Sequence, residues 1–152
     1  QQLGLGSSGA GAAGYTWDGG KIWQTRFQRN DAVAQLLAKR GTTVRDVALG
    51  ADHTVVLAAN QKDVFAFGRG QFNQLGVPGA PFVSAPARST ELSSTAEEAR
   101  PIAAVCAVSD CSATLDADGG VLARVGRCKS LAAHLEECRS RAHERGLLGN
   151  AT

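Results

Sequence analysis

The chain has 152 residues, of which 5% are aromatic and 20% charged, and it contains eighteen glycines. Sixteen Lys and Arg against fourteen Asp and Glu leave a net charge of +2, too balanced to mark a nucleic-acid binder by charge alone. No apolar run reaches the roughly 18 residues that a membrane-spanning helix needs, and the glycine content favours short strands and turns over long helices.

The first residue is not methionine, and the opening QQLGLG reads as the tail of a repeat. This implies a processed chain or a piece of a longer one. Residues 1–43 are expected to hold that tail followed by an insertion. Gly4-x-Gly6-x-x-Gly9 and Gly9-x-Gly11-x-x-Gly14 have dinucleotide-fingerprint spacing. The fingerprint needs a strand before it and a helix after it. No strand pattern precedes it and YTWDGG follows, so a loop is expected and no cofactor. Trp17 and Trp23 flank the turn signal Asp18-Gly19-Gly20. They either pack the insertion onto the next unit or serve as partner-contact anchors. Asn30 or Asp31 can cap a helix reaching Leu37 to Arg40, stopped by Gly41, with Val33, Leu36 and Leu37 on one face.

Residues 44–78 form the best-defined unit. Thr54-Val55-Val56-Leu57 is a β-branched strand, Asn60–Asp63 a turn, and Val64-Phe65-Ala66-Phe67 a second strand ended by Gly68. G-R-G-x-x-x-Q-L-G follows, over Gly68–Gly76. Residues 79–101 carry Pro81, Pro86, Pro101 and the run STELSSTAEEA, and are expected to be an exposed, mobile loop.

Residues 102–129 read as a second, degenerate unit. A gapless shift of 58 lays Val47 on Val105, Asp52 on Asp110, Leu57 on Leu115, Gly68 on Gly126 and Arg69 on Arg127. His53 falls on Cys111, and the turn becomes Asp116–Gly120. Asp116-Ala117-Asp118-Gly119 opens like a calcium loop, but Arg127 stands where the closing glutamate is required, so a hairpin turn is expected. A lone hairpin is marginal in water and must stack on a neighbour.

Residues 130–145, SLAAHLEECRSRAHER, are expected to form an inserted amphipathic helix with Ser130 as N-cap and Gly146 as stop. Leu131, Leu135, Cys138 and Ala142 make a narrow apolar stripe. Arg139, Arg141 and Arg145 on the other faces are partner-contact candidates, and their charge is able to meet RNA phosphate. His134-Leu135-Glu136 lacks the cysteine motif of a zinc deaminase, and nothing orients His134 beside Cys138 as a catalytic base. Residues 146–152 close the chain with Gly146-Leu147-Leu148-Gly149, a degraded Gln-Leu-Gly, and the glycosylation triplet Asn150-Ala151-Thr152.

Cys106, Cys111, Cys128 and Cys138 contain no C-x-x-C pair. The expectation is no bound metal and free, buried thiols in a reducing intracellular compartment, the mitochondrion being compatible.

Val44, Val47, Ala48, Gly50, His53, Thr54, Phe67, Gly68, Gly70, Gln74, Leu75 and Gly76 together resemble the regulator of chromosome condensation repeat. The second unit departs from it at Val108, Cys111 and Val125. The resemblance implies an all-β fold, here a partial β-propeller of two four-stranded blades with helical insertions, and a mainly structural His53 whose ring bonds blade backbone. The remaining blades would lie outside this chain or be replaced by a partner. The expected function is a non-catalytic scaffold within a larger assembly of protein subunits, such as a mitochondrial ribosome or an axonemal complex. The alternative, implied by the family's founding member, is guanine nucleotide exchange on a small GTPase. No catalytic residue is assigned.

Overall fold

The computed structural model describes residues 15–18, 21–24, 29–95, 97 and 99–149. In chain order these form β1 (Tyr15–Asp18), β2 (Lys21–Gln24), α1 (Asp31–Lys39), β3 (Val44–Leu49), β4 (His53–Ala58), β5 (Val64–Arg69), β6 (Phe82–Arg88), β7 (Ala104–Val108), β8 (Cys111–Leu115), β9 (Val121–Gly126) and α2 (Leu131–Glu144). Strands β1 and β2 pair as a hairpin. Strands β3-β4-β5-β6 make one antiparallel sheet, and β7-β8-β9 a second.

The shift of 58 reappears as strand register. Asp46, Val47, Ala48 and Leu49 face Leu57, Val56, Val55 and Thr54. Ala104, Val105, Cys106 and Ala107 face Leu115, Thr114, Ala113 and Ser112, each pair moved on by that amount. His53 faces Gly68 as Cys111 faces Gly126. Gly68 and Gly126 share a positive φ, 105° and 92°. A Cβ on either would collide with the carbonyl of Asp52 or Asp110, the same carbonyls that accept the Arg69 and Arg127 amides at 2.9 Å.

Two expectations are corrected by the sheets. Among the described residues the two sheets are not alike: the first has four strands and the second three, in place of the two four-stranded blades expected. Residues 79–101 are not wholly loop, because β6 lies within them and pairs with β5, Ala66 opposite Ala87 and Gly68 opposite Val83. Proline hid this strand. Pro86 lacks an amide proton, yet an edge strand leaves half of its amides unneeded. Beyond β6, Ser89 and Leu92 are buried.

The packing is layered. Alternation along β4 and β5 sends Val55, Leu57, Val64 and Ala66 to one face, where they meet Val105 and Val125 of the second sheet, with Leu75, Leu92 and Ile102 filling the seam. Val56, Ala58, Phe65 and Phe67 point the other way onto Val33 and Leu37 of α1. On the far side of the second sheet, Cys106 and Ala113 meet Leu131, and Ala104 and Leu115 meet Ala142 of α2. The order is helix, sheet, sheet, helix, which is why every residue of β4 and β8 is buried.

Asn30 caps α1, its side chain accepting from the Val33 amide at 3.0 Å. Gly41 and Gly146, with φ of 66° and 70°, each follow a helix. The amides of Gly41 and Thr42 bond Ala38 and Leu37, and those of Gly146 and Leu147 bond His143 and Ala142. Both patterns are Schellman closures. Ser130 stands at the N-cap of α2, but its hydroxyl makes no capping bond.

The cysteines overturn the expectation of free thiols in a reducing compartment. Cys106 of β7 is bonded to Cys138 of α2, and Cys111 at the start of β8 to Cys128 after β9, with Cα separations of 5.8 and 4.9 Å. Two such bonds point to an oxidising environment. The pairing is unreadable from spacing because it joins a strand to a helix 32 residues away. The triplet at 150–152 lies outside the described residues.

Candidate functional site

The chemistry-bearing residues of the repeat converge on the seam between the sheets. Ser112 Oγ donates to the Gln74 carbonyl at 2.7 Å. Its one proton is thereby engaged, so His53 Nε2–H donates to Ser112 Oγ, also at 2.7 Å. The ring is fully buried, and Nδ1 has no hydrogen-bond partner among the described residues. Burial pushes the His53 pKa down, with Asp110 and Asp52 opposing weakly. Gly50 is required here, since a Cβ would strike the imidazole. The expected bond from His53 to blade backbone is corrected: the ring reaches backbone only through the hydroxyl of the next unit. Gln74 completes the link, accepting from the Phe72 amide at 2.9 Å and donating to Asp110 at 3.4 Å. The Arg69 and Arg127 guanidinium groups, one from each unit, both lie over the Phe72 ring, 5.2 and 3.4 Å from its centroid.

In the second unit Cys111 takes the place of His53, and Cys128, 58 residues after Gly70, is its disulfide partner. A polar bridge between units is exchanged for a covalent bond within one.

A second seam contact was not legible in the sequence. Asp46 is buried on β3 and accepts from the Val105 amide at 3.0 Å and the Val47 amide at 2.9 Å. Arg145 pairs with it at 3.0 Å. Next to it, Arg45 Nε donates to the Ala103 carbonyl at 2.9 Å. The strand thus buries a carboxylate while Val44, Val47 and Leu49 are exposed. Only this inverted polarity hinted at the contact. Asp63 anchors the other side of the first sheet, with Arg88 at 2.7 Å, Arg40 at 3.6 Å and Asn60 at 2.9 Å. Burial pushes the Asp63 carboxyl up, but the bonds from Arg88 and Asn60 and the charges of Arg88 and Arg40 outweigh it, and the pKa is lowered.

The partner-contact candidates fall as follows. Arg139 Nε donates to the Gly119 carbonyl at 2.8 Å and its guanidinium pairs with Glu136 at 3.3 Å. Arg141 pairs with Glu137, and Arg145 with Asp46. Trp17 and Trp23 lie on β1 and β2, opposite Ile22 and Thr16.

His134 Nδ1 bonds the Ser130 carbonyl, and Cys138 is in a disulfide with Cys106, so the two do not form a nucleophile and base pair. Asp116 holds its turn, accepting from the Gly120 and Asp118 amides and from Arg100. The Gly120 bond leads in holding its carboxyl below the usual range. Among the described residues no cluster of His, Cys, Asp and Glu is arranged to hold a metal ion, and no helix is long and apolar enough to cross a membrane.

Residues 44–74 match the family described as the regulator of chromosome condensation (RCC1) repeat. No curated protein matches the chain. Among solved structures, human WBSCR16 is similar at 21% identity over 74% of this chain and 24% of that one, with a TM-score of 0.47. Prp20p from Saccharomyces cerevisiae is similar at 18% identity over 68% of this chain and 24% of that one, TM-score 0.39. Yeast RCC1 (Prp20) in its complex with Kap60 is similar at 19% identity over 67% and 21%, TM-score 0.36. The chain therefore spans about a quarter of the length of these structures. The strand pattern, the phase of 58 and the matched stretch agree that the chain carries an RCC1-type repeat.

Proposed function

We propose that this chain is a non-catalytic protein-interaction module. The observation that carries the reading is the use made of its polar residues: His53, Gln74, Asp46 and Asp63, the groups most able to do chemistry, are committed to holding strands and sheets together. What is left for function is shape and surface. Of the finer readings, guanine nucleotide exchange on a small GTPase has the repeat match in its support; assembly into a mitochondrial ribosome or an axoneme has no observation in its support. The Prp20p structures are described with Kap60 bound and with binding to Gsp1p and histones. An RNA contact through Arg139, Arg141 and Arg145 loses support because all three are engaged within the chain.

The test mixes the oxidised chain with small GTPases loaded with a fluorescent guanine nucleotide. Binding seen as a change in sedimentation, with no acceleration of nucleotide release, is the result expected of an interaction module. Accelerated release establishes exchange, and no binding to any protein partner removes the reading.

A further inference from the structure

The two sheets follow one pairing plan, yet among the described residues only the first has a fourth strand. Strand β6 covers the outer edge of β5, with Ala87 opposite Ala66 and Val83 opposite Gly68. Moved on by 58, those β5 positions become Arg124 and Gly126 of β9, and among the described residues no strand lies beside them. The Arg127 amide bonds inward to Asp110, so alternation turns the peptide groups of Arg124 and Gly126 outward. Such an edge is a template for an added strand.

Open space also borders β9. Two open cavities of about 520 and 200 Å³ share Glu91; the first is bordered by Arg124, Gly126 and Cys128, the second by Leu122 and Ala123. Thr114 borders the smaller cavity with its buried hydroxyl unpartnered among the described residues. Val121 and Leu122 at the start of β9 are 40% and 38% exposed.

We propose that the outer edge of β9 receives an extended strand from a partner protein, bearing a carboxylate opposite Arg124, and that this strand completes the second sheet. The proposal rests on the interaction reading above and names its surface. Strand β6 shows the shape of the occupant: seven residues, FVSAPAR, small at most positions. Arg124 sets the charge, being exposed and without an ion pair among the described residues. The same residue opposes a second copy of this chain as occupant. Antiparallel pairing of two β9 strands about their middle brings the two Arg124 side chains close together, which is unfavourable.

The probe is the synthetic peptide PFVSAPERS, which copies residues 81–89 with glutamate in place of Ala87. It is added to the 15N-labelled, oxidised chain, and amide exchange is followed by NMR. The expected result is exchange slowed at least roughly tenfold at the outward amides Arg124 and Gly126. Arg124→Glu is expected to weaken this peptide by roughly three- to tenfold and to favour PFVSAPKRS instead. Arg124→Pro, which deletes an outward amide and leaves the β8 ladder intact, is expected to weaken both peptides. The proposal is overturned if neither peptide binds at millimolar concentration or if binding ignores the charge at position 124. It is also overturned if the two amides are already protected in the dilute free chain, which assigns the edge to the chain itself, or become protected only as the chain is concentrated, which assigns it to a second copy. A protein partner that binds Arg124→Glu as well as the unaltered chain would leave the interaction reading standing and remove this one.

Discussion

Replacing Asp46 by alanine tests whether a buried carboxylate joins the two sheets. The side chain is 2% exposed and accepts from the amides of Val105 and Val47 and from Arg145. Truncation leaves the Val105 amide buried without an acceptor, which costs about 1–3 kcal/mol. Losing the charged acceptor at Val47 and the pairing with Arg145 brings the total to about 3 kcal/mol; no charge is left buried, because Arg145 is 47% exposed. Arg145→Ala leaves the Asp46 carboxylate buried but still bonded to the Val105 and Val47 amides, and should cost less, about 1–2 kcal/mol. For a chain of this size the Asp46→Ala loss lowers Tm by about 6–12 °C. Asp46→Asn keeps an oxygen for the Val105 amide and should fall between the two. Urea unfolding of the oxidised protein at neutral pH, followed by circular dichroism, measures all three. If Asp46→Ala costs no more than Arg145→Ala, the carboxylate is not what ties β3 to β7, and the reasoning fails.

The remaining predictions concern the other seam groups. Because the folded pKa of His53 lies below its ordinary 6.5, the unfolded chain takes up the proton first, and stability should be lost as pH falls below that value. In His53→Gln that part of the pH dependence should vanish, and an unchanged profile would refute the assignment. Asp63 follows the same proton logic at lower pH: its contribution is present above 3.8 and is lost as pH falls toward the lowered folded pKa. Arg88→Ala should shrink that acid-side loss in the same titration. Reduction should open loops of 17 and 32 residues, removing about 3 and about 4 kcal/mol on a chain-entropy estimate. Iodoacetamide labelling read by mass spectrometry should then find four reactive thiols only after a dithiol reductant is added, and labelling without reductant would contradict the pairing.

Much of the repeat was legible because it rests on local periodicity. Unbroken β-branched and aromatic runs at Val55–Leu57 and Val64–Phe67, a turn between them and a glycine after them define buried strands. The shift of 58 is visible in the residues because both copies must meet the same register. The fourth strand was missed because Pro81 and Pro86 carry a loop signal that an edge strand tolerates. Asp46 was missed because an acidic residue in a strand ordinarily faces solvent, and nothing nearby in the sequence names Val105 as its partner. The edge of β9 became visible only by contrast with β5, since an absent strand leaves no mark of its own in the residues.

By itself the sequence determined the central strands of the repeat, the turns between them, the helix closures at Gly41 and Gly146 and the kinship of the repeat, all of which depend on residues a few positions apart. The tertiary structure alone decided which cysteines pair, that His53 serves Ser112, that a helix covers the outer face of each sheet, and that the first sheet gains a fourth strand, β6. These depend on which surfaces meet between segments 17 to 102 residues apart in the chain. Such meetings are set by the packing of whole layers, which no local pattern encodes.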